Sequence, residues 1–476
     1  MTRHAQTAEI DEIVDVEVGP VKRFFIDILT RDIEISAAVL DLVDNSVDSA
    51  NELFPDGDLS SIRIDIEADQ THFAISDNCA GITLKAATSY VFKMGRPGNI
   101  HSAPSSIGQF GVGMKRALFK LGDEFIVDSS TGDSHFSVEL MVSAWEKLEE
   151  WTLPLKIHKP GESGFPSRGT TLFVSDLTQD VRAYFSDTVR NNQLRDDLRS
   201  KHRMAIERGL QLYFNDQLLA PTPTVLAVSE KSSGPPLLYP LIERFNLQNE
   251  EGKLVRVEIF AGIHNSPGTE EDAEPEDVAT GSLEAGWYVF GNDRLLLAAD
   301  KTWLTGWGGT GNLPMYHNQY ARFRGFVYMW AEDSIALPWN TTKTGVESSD
   351  PVWTRVRGEM ITAGKQVITL LNLLKIERRA LNATDANSAS QPEVPITEAL
   401  EHAKMISTAS LKSEAEGPLV HVAPNSELGR LIDGKRISYS VAVRDFKVAS
   451  ELLGTTKAAE LGRRTFDYFL DHEADA

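Results

Sequence analysis

Apolar positions along residues 33–53 recur at helical spacing, and Ile35, Val39, Leu42 and Val43 fall on one face. This predicts a single amphipathic helix over Ile33–Leu53, ended by Pro55, Asp56 and Gly57. The pattern then changes to strict alternation. Ser61–Glu67 and His72–Ser76 are expected as the two strands of a hairpin. Gly95–Pro104 is rich in Gly, Pro and Asn and is expected as a mobile loop. Gly113–Lys120 opens a helix, and Phe125–Asp128, Ser134–Val142 and Thr170–Ser175 are further strands. Helix, strand pair, glycine loop, helix and strands together predict an α+β sandwich.

A second region begins near Ser186. Asn191–Arg208 is expected as one charged helix, followed by a hairpin of Leu210–Phe214 and Leu218–Leu219 with its turn at Asn215–Asp216. Leu254–Ala261, Gly286–Val289 and Phe323–Trp330 are strand candidates, His264–Ser282 a surface loop, and Val352–Leu381 a long helix. Thr384–Glu393 has linker composition. Beyond it, Ile437–Leu470 suggests a short strand and one or two helices, with Val441, Phe446, Leu452 and Leu453 as core. Residues 1–20 are polar and acidic, with alternating Val and Ile near Ile13–Val18, as in an arm or edge strand.

At 476 residues the chain has room for two or three domains of about 100–200 residues each. The net charge of −22 disfavours broad coating of a polyanion such as DNA, though it leaves room for one basic groove. Cys79 is the single cysteine, so neither an internal disulfide nor a cysteine-based zinc site can form. No apolar run is long enough for a membrane span, and the N-terminus lacks a signal-peptide pattern. Cytoplasm, with no membrane partner, is the expected location.

Three short motifs follow one another in one order within about 80 residues, as a single domain of about 100–200 residues can hold. On the first helix, Asp41, Asn45 and Asp48 share a face in Asp41-Leu-Val-Asp44-Asn45-Ser-Val-Asp48. A carboxylate and an amide one turn apart can share a metal and a water, and an amide oxygen suits Mg²⁺. The same residues also suit a plain polar helix face. The second motif, Ile75-Ser-Asp77-Asn78-Cys79-Ala80-Gly81-Ile82, follows a strand. It either presents the Asp77 carboxylate into a pocket, where it can accept from an adenine amino group, or is simply a turn. In the third, Ile107-Gly108-Gln109-Phe110-Gly111-Val112-Gly113-Met114-Lys115, three glycines precede a helix. They permit a phosphate to approach free backbone N–H groups, and equally permit an ordinary turn.

The order and spacing of these motifs, with Arg168-Gly169-Thr170-Thr171 leading into a later strand, resemble the ATP-binding domain of the gyrase, heat-shock-chaperone, histidine-kinase and MutL (GHKL) superfamily. The resemblance implies a Bergerat-type ATP-binding α/β sandwich using ATP and Mg²⁺. Asp77 would accept the adenine amino group, with Thr170 supporting it through a water, and Gly81 would let the backbone pass close to the base. Asn45 would hold Mg²⁺, and Asp48 would belong to the ATP-binding set. Gly108, Gln109, Phe110, Gly111, Val112, Gly113 and Lys115 would form a lid over the phosphates. Asp41 takes the place of the general base, usually Glu; being one methylene shorter, it implies slow turnover. Cys79 replaces a glycine of the usual turn. It is expected near the adenine, within reach of alkylation or as a small turn-filling residue.

Farther along, Gly286-Trp-Tyr-Val-Phe-Gly-Asn-Asp-Arg294 and Ala336-Leu-Pro-Trp-Asn340-Thr-Thr-Lys343 resemble the ribosomal-protein-S5-like transducer domain of MORC-type ATPases. Lys343 would then reach toward the γ-phosphate, and Arg294 would be a structural or sensing residue. The implied organisation is an arm (1–20), an ATP-binding domain (21–185), a transducer (186–383), a linker (384–436) and a C-terminal interaction segment (437–476). The implied activity is slow Mg²⁺-dependent ATP hydrolysis driving a homodimeric clamp. DNA is the expected client, in a MORC-like and conceivably defensive role. A protein client or a non-hydrolysing sensor are the alternatives.

Overall fold

Helix α2 (Ile35–Leu53) lies with Val39, Leu42, Val43 and Val47 fully covered, as the apolar stripe requires. The structure is a computed structural model. It describes residues 21–55, 57–93, 107, 113–161, 164–229, 238–265, 282–340, 343, 345–383, 403–411, 441–455, 458, 461, 462, 464 and 465, with the side chains of 376–383 excepted. The arm, the Gly95–Pro104 loop, nearly all of the His264–Ser282 loop and the 384–393 linker lie outside these residues. The chain divides into two compact units, Met1–His421 and Val422–Ala476.

The first sheet follows the alternation read from the sequence. Strand β1 (Arg63–Ala68) pairs antiparallel with β2 (Phe73–Asp77). Helix α3 (Leu84–Ala86) runs into a π turn, and α4 (Gly113–Leu121) leads directly into β3 (Gly122–Ser130). Then come β4 (His135–Met141), α5 (Val142–Trp145), β5 (Leu155–His158) and β6 (Gly169–Leu177). Helices α6 (Gln179–Ser186), α7 (Thr188–Lys201) and α8 (Arg203–Glu207) precede the hairpin β7 (Gln211–Phe214) and β8 (Gln217–Leu218). The strand order is β5-β4-β3-β6-β2-β1-β7-β8.

Strand β5 has no counterpart in the sequence reading, and two joints differ from it. The hairpin at 211–218, assigned above to the second region, joins the first sheet, because β7 pairs in parallel with β1 from Arg63↔Gln211 to Ile66↔Phe214. A pairing so distant in sequence leaves no local pattern. The charged helix expected over 191–208 is two helices, broken at His202, whose ring turns inward to a buried carboxylate.

Helix α1 (Lys22–Arg31) is pinned by its own lysine. The buried Lys22 ammonium donates to the carbonyls of Trp145, Leu148 and Glu150 at 2.9, 2.8 and 2.7 Å and lies over the Trp145 ring. Val21, Phe24 and Ile28 are left exposed.

The second sheet has the order β10-β11-β14-β12-β13, with β10 Leu241–Gln248, β11 Leu254–Ile263, β12 Gly286–Gly291, β13 Arg294–Asp300 and β14 Phe323–Trp330. The long helix Pro351–Ala383 packs on it, with Trp353 fully buried. Strand β9 (Val225–Val228) pairs with β15 (Lys404–Ser407). Between β12 and β13, Asn292 and Asp293 both have positive φ, the signature of a two-residue I′ hairpin turn. That turn sets Arg294 at the start of β13.

In the second unit, helix Val443–Leu453 ends at Gly454 in a left-handed cap. The core expected there is not met: Val441 and Leu452 are exposed, and Phe446 and Leu453 are half-buried. A segment this small has too little chain to cover a helix on all sides. Among the described residues no helix is long and apolar enough to cross a membrane.

Candidate active site

Strand β2 delivers Asp77 to the end of the sheet beside α2. Its Oδ2 accepts from the Ser46 hydroxyl at 2.7 Å, and its Oδ1 from the backbone N–H groups of Cys79 (3.0 Å) and Thr170 (3.3 Å). Burial pushes the Asp77 carboxyl up from its ordinary value, and these three donors oppose the rise. Thr170 therefore meets Asp77 directly through its backbone, across the β2–β6 ladder, while its hydroxyl bonds Ser129 at 2.8 Å.

The turn after Asp77 is tightly built. Gly81 has φ +72°, and a Cβ there would lie 2.0 Å from the Ser130 carbonyl oxygen. The close approach that demands glycine is thus to backbone. Cys79 is fully buried, its thiol donates to the Ser46 carbonyl at 3.3 Å, and burial and Asp77 push its pKa up. Burial of this kind disfavours the reactive thiolate, so of the two expectations for Cys79 the turn-filling role is the one that fits.

On α2 the three polar residues of the first motif differ in setting. Asn45 is exposed, so its amide is open to a ligand. A single amide oxygen suits Mg²⁺, which keeps its remaining positions for water and phosphate oxygens. Asp48 is half-buried and accepts from the Ile107 N–H at 2.7 Å, tying it to the glycine segment. Asp41 is 5% exposed and held by Arg116 of α4 at 2.6 Å and by Lys343 at 3.7 Å. Gly113, at the start of α4, lies so near that a Cβ on it would meet the Asp41 carboxylate at 3.4 Å.

Of the glycine segment, Gly108, Gln109, Phe110, Gly111 and Val112 lie outside the described residues. Lys115 is placed differently from expectation. Its ammonium is buried and donates to the carbonyls of Val91 and Lys93 at 2.7 and 2.6 Å. In this arrangement it closes the end of the preceding helical turn.

Sequence reading missed the centre of the site. Asp44, one turn from Asp41, is fully buried and bonded by Arg294, by Lys343 at 3.3 Å and by His202 at 3.0 Å. Burial alone would raise its pKa, but Arg294, Lys343 and His202 outweigh it and hold the carboxyl well below the usual range. Burial pushes the His202 pKa down, while Asp44 at Nε2 and the Leu198 carbonyl at Nδ1, each 3.0 Å away, pull it up. Lys343 reaches this point from a backbone with φ +52°, a conformation that a lysine rarely adopts. Two adjacent turns of one helix thus gather cations from α4, from β13 and from the segment before the long helix. Asp44 was legible as part of the motif, and Arg116 as the neighbour of Lys115. Nothing local marked His202.

One other group of ligating side chains stands apart from α2: Asp128, His135 and His158 on β3–β5, where His135 bonds Asp128 at 2.9 Å and stacks on His158.

Residues 33–166 match the model of a family described as histidine kinase-, DNA gyrase B-, and HSP90-like ATPase. The matched segment runs from α2 through the glycine segment to β5, and it supports the GHKL superfamily and ATP binding and hydrolysis in general. The mixed sheet with helices fits such an ATPase domain. No curated protein matches the chain.

Proposed function

We propose that this chain binds ATP with Mg²⁺ between α2, the turn after β2 and the start of α4, and hydrolyses it slowly. The observation that carries the reading is the Asp41–Asp44 face of α2. There Asp41, which this reading makes the water-orienting carboxylate, and Asp44 lie against cations from both the first and the second sheet regions.

In this reading Asp77 recognises the adenine amino group, Asn45 holds Mg²⁺, and the glycine segment with Gly113 covers the phosphates. When bound, Mg²⁺ neutralises phosphate charge and aligns the phosphoryl group. Asp41 orients the attacking water. Arg116 and Lys343, paired with Asp41 here, are drawn to the terminal phosphate as its charge competes for them, and this releases the carboxylate. Lys115 joins the phosphates only if its bonds to Val91 and Lys93 are broken. A short Asp41 clamped by two cations makes for a slow enzyme. The same clamping favours the second reading, a nucleotide sensor that does not hydrolyse.

The conformational output is a homodimeric clamp of the kind that the transducer-bearing, MORC-type resemblance implies. The exposed apolar stripe of Val21, Phe24 and Ile28 on α1 supports a second copy as partner. For the client, helix α7 offers DNA little. Its Arg190 pairs with Asp187 and its Arg199 with Asp196, and the chain carries a net charge of −22. A protein client fits that balance better than DNA.

Mg²⁺-dependent ATP turnover by the wild type, D77A and D41A tests the assignment. Nucleotide binding is expected to fail in D77A, and turnover to fail in D41A with binding retained. A D41A variant as fast as wild type would remove Asp41 from the chemistry. Binding without turnover in the wild type would select the sensor. A DNA shift that depends on ATP, rather than on low salt alone, would restore DNA as client.

A further inference from the structure

Where α8 meets the second sheet there is a cavity of about 370 Å³ whose lining holds three arginines, Arg199, Arg203 and Arg324, and three carboxylates, Asp196, Asp197 and Glu284. Its size is that of a small-molecule site. Arg199 is paired with Asp196 at 3.5 Å. Arg324 donates to the carbonyls of Ala321 and Phe323 and pairs with Glu284 at 3.2 Å.

Arg203 differs. It is 6% exposed, its Nε has no hydrogen-bond partner, and among the described residues no carboxylate or carbonyl pairs with its guanidinium. The guanidinium lies over the face of Tyr288, 5.0 Å away. Glu207 acts on it through its charge, but spends its oxygens on the N–H and hydroxyl of Thr224 rather than on the guanidinium. A buried cation with no hydrogen-bonded anion beside a cavity is costly, and an anion in that cavity would reduce the cost.

We propose that this cavity binds a small ligand through a carboxylate or phosphate group held by the Arg203 guanidinium. Planar, forked guanidinium recognition of an oxyanion is the strongest pairing available to this side chain. The site is separate from the ATP pocket but adjacent to its support. Arg203 directly follows His202, which bonds Asp44 at 3.0 Å. An occupant would therefore sit one residue from the contact that joins α2 to the second sheet.

The test is thermal unfolding of the full chain with sodium phosphate, sodium succinate or sodium chloride at matched ionic strength. At least one oxyanion is expected to raise the wild-type midpoint above the chloride value. A rise with phosphate alone identifies a phosphate ligand, and a rise with succinate alone a carboxylic acid. R203M is expected to lose the rise while unfolding no earlier than wild type in chloride, since it removes a buried charge that lacks a hydrogen-bonded anion. Arg203 lies outside the ATP pocket, so loss of the rise in R203M separates this site from the phosphate end of that pocket. R203K keeps the charge but not the fork, and should bind the active oxyanion at least tenfold more weakly. No rise in the wild type, a rise preserved in R203M, or equal affinity in R203K would overturn the proposal.

Discussion

Asp44 is fully buried and answers to Arg294, Lys343 and His202 together. Removing its charge leaves Arg294 without its carboxylate in the interior and Lys343 with Asp41 alone. D44A is therefore expected to lose about 3–5 kcal/mol of stability. The measurement is a urea titration, in which the midpoint should fall with the slope unchanged. A midpoint equal to wild type would mean that Arg294 and Lys343 find other partners. His264 provides a pH test. Burial first, and Arg324 beside it, hold its pKa down to about 4, against an ordinary 6.5. Between those values the unfolded chain takes up the proton and the folded chain does not. This residue's contribution to stability therefore falls as pH drops from about 6.5 to about 4. H264Q should flatten that part of the stability profile relative to wild type. Identical acid limbs would show that His264 protonates freely in the fold.

At the scale of elements, the turn after β2 and the break between α7 and α8 are the informative joints. G81A would combine a left-handed φ with a Cβ 2.0 Å from the Ser130 carbonyl, so the turn must move. A loss of at least about 1–3 kcal/mol is expected, together with weaker nucleotide binding, because the same turn carries the N–H that holds Asp77. Wild-type stability and affinity in G81A would show that the turn relaxes without disturbing Asp77. The helices and strands themselves were largely legible. The period-2 and helical patterns found α2, α4, β1 to β4 and β6 of the first sheet, and β11, β12 and β14 of the second, but not β5. They missed the interruption at His202, because a helix in sequence continues through a residue whose ring is drawn aside by a carboxylate 158 positions earlier. They also missed the membership of β7 in the first sheet, which rests on a parallel register with β1.

For the whole molecule, the clamp reading predicts that a non-hydrolysable ATP analogue with Mg²⁺ doubles the mass in solution, measured by light scattering. Replacing Phe24 and Ile28 by Ser should abolish the doubling while leaving nucleotide affinity intact. An unchanged wild-type mass would remove the clamp. Chemistry written in contiguous residues was readable in the chain alone. The pattern around Asp41, Asn45 and Asp77 and the glycine segment resembled an ATPase family, and the match of residues 33–166 to such a family supports ATP binding in general. Such motifs survive in sequence because one helix turn or one strand end sets their spacing. What only the tertiary structure decided was which cations stand against which carboxylates. Arg116, His202, Arg294 and Lys343 converge on two turns of α2 from positions 75 to 302 residues away. The same packing leaves the Arg203 Nε without a hydrogen-bond partner. Burial and long-range pairing set the strength and protonation of those groups, and neither is a property of local sequence.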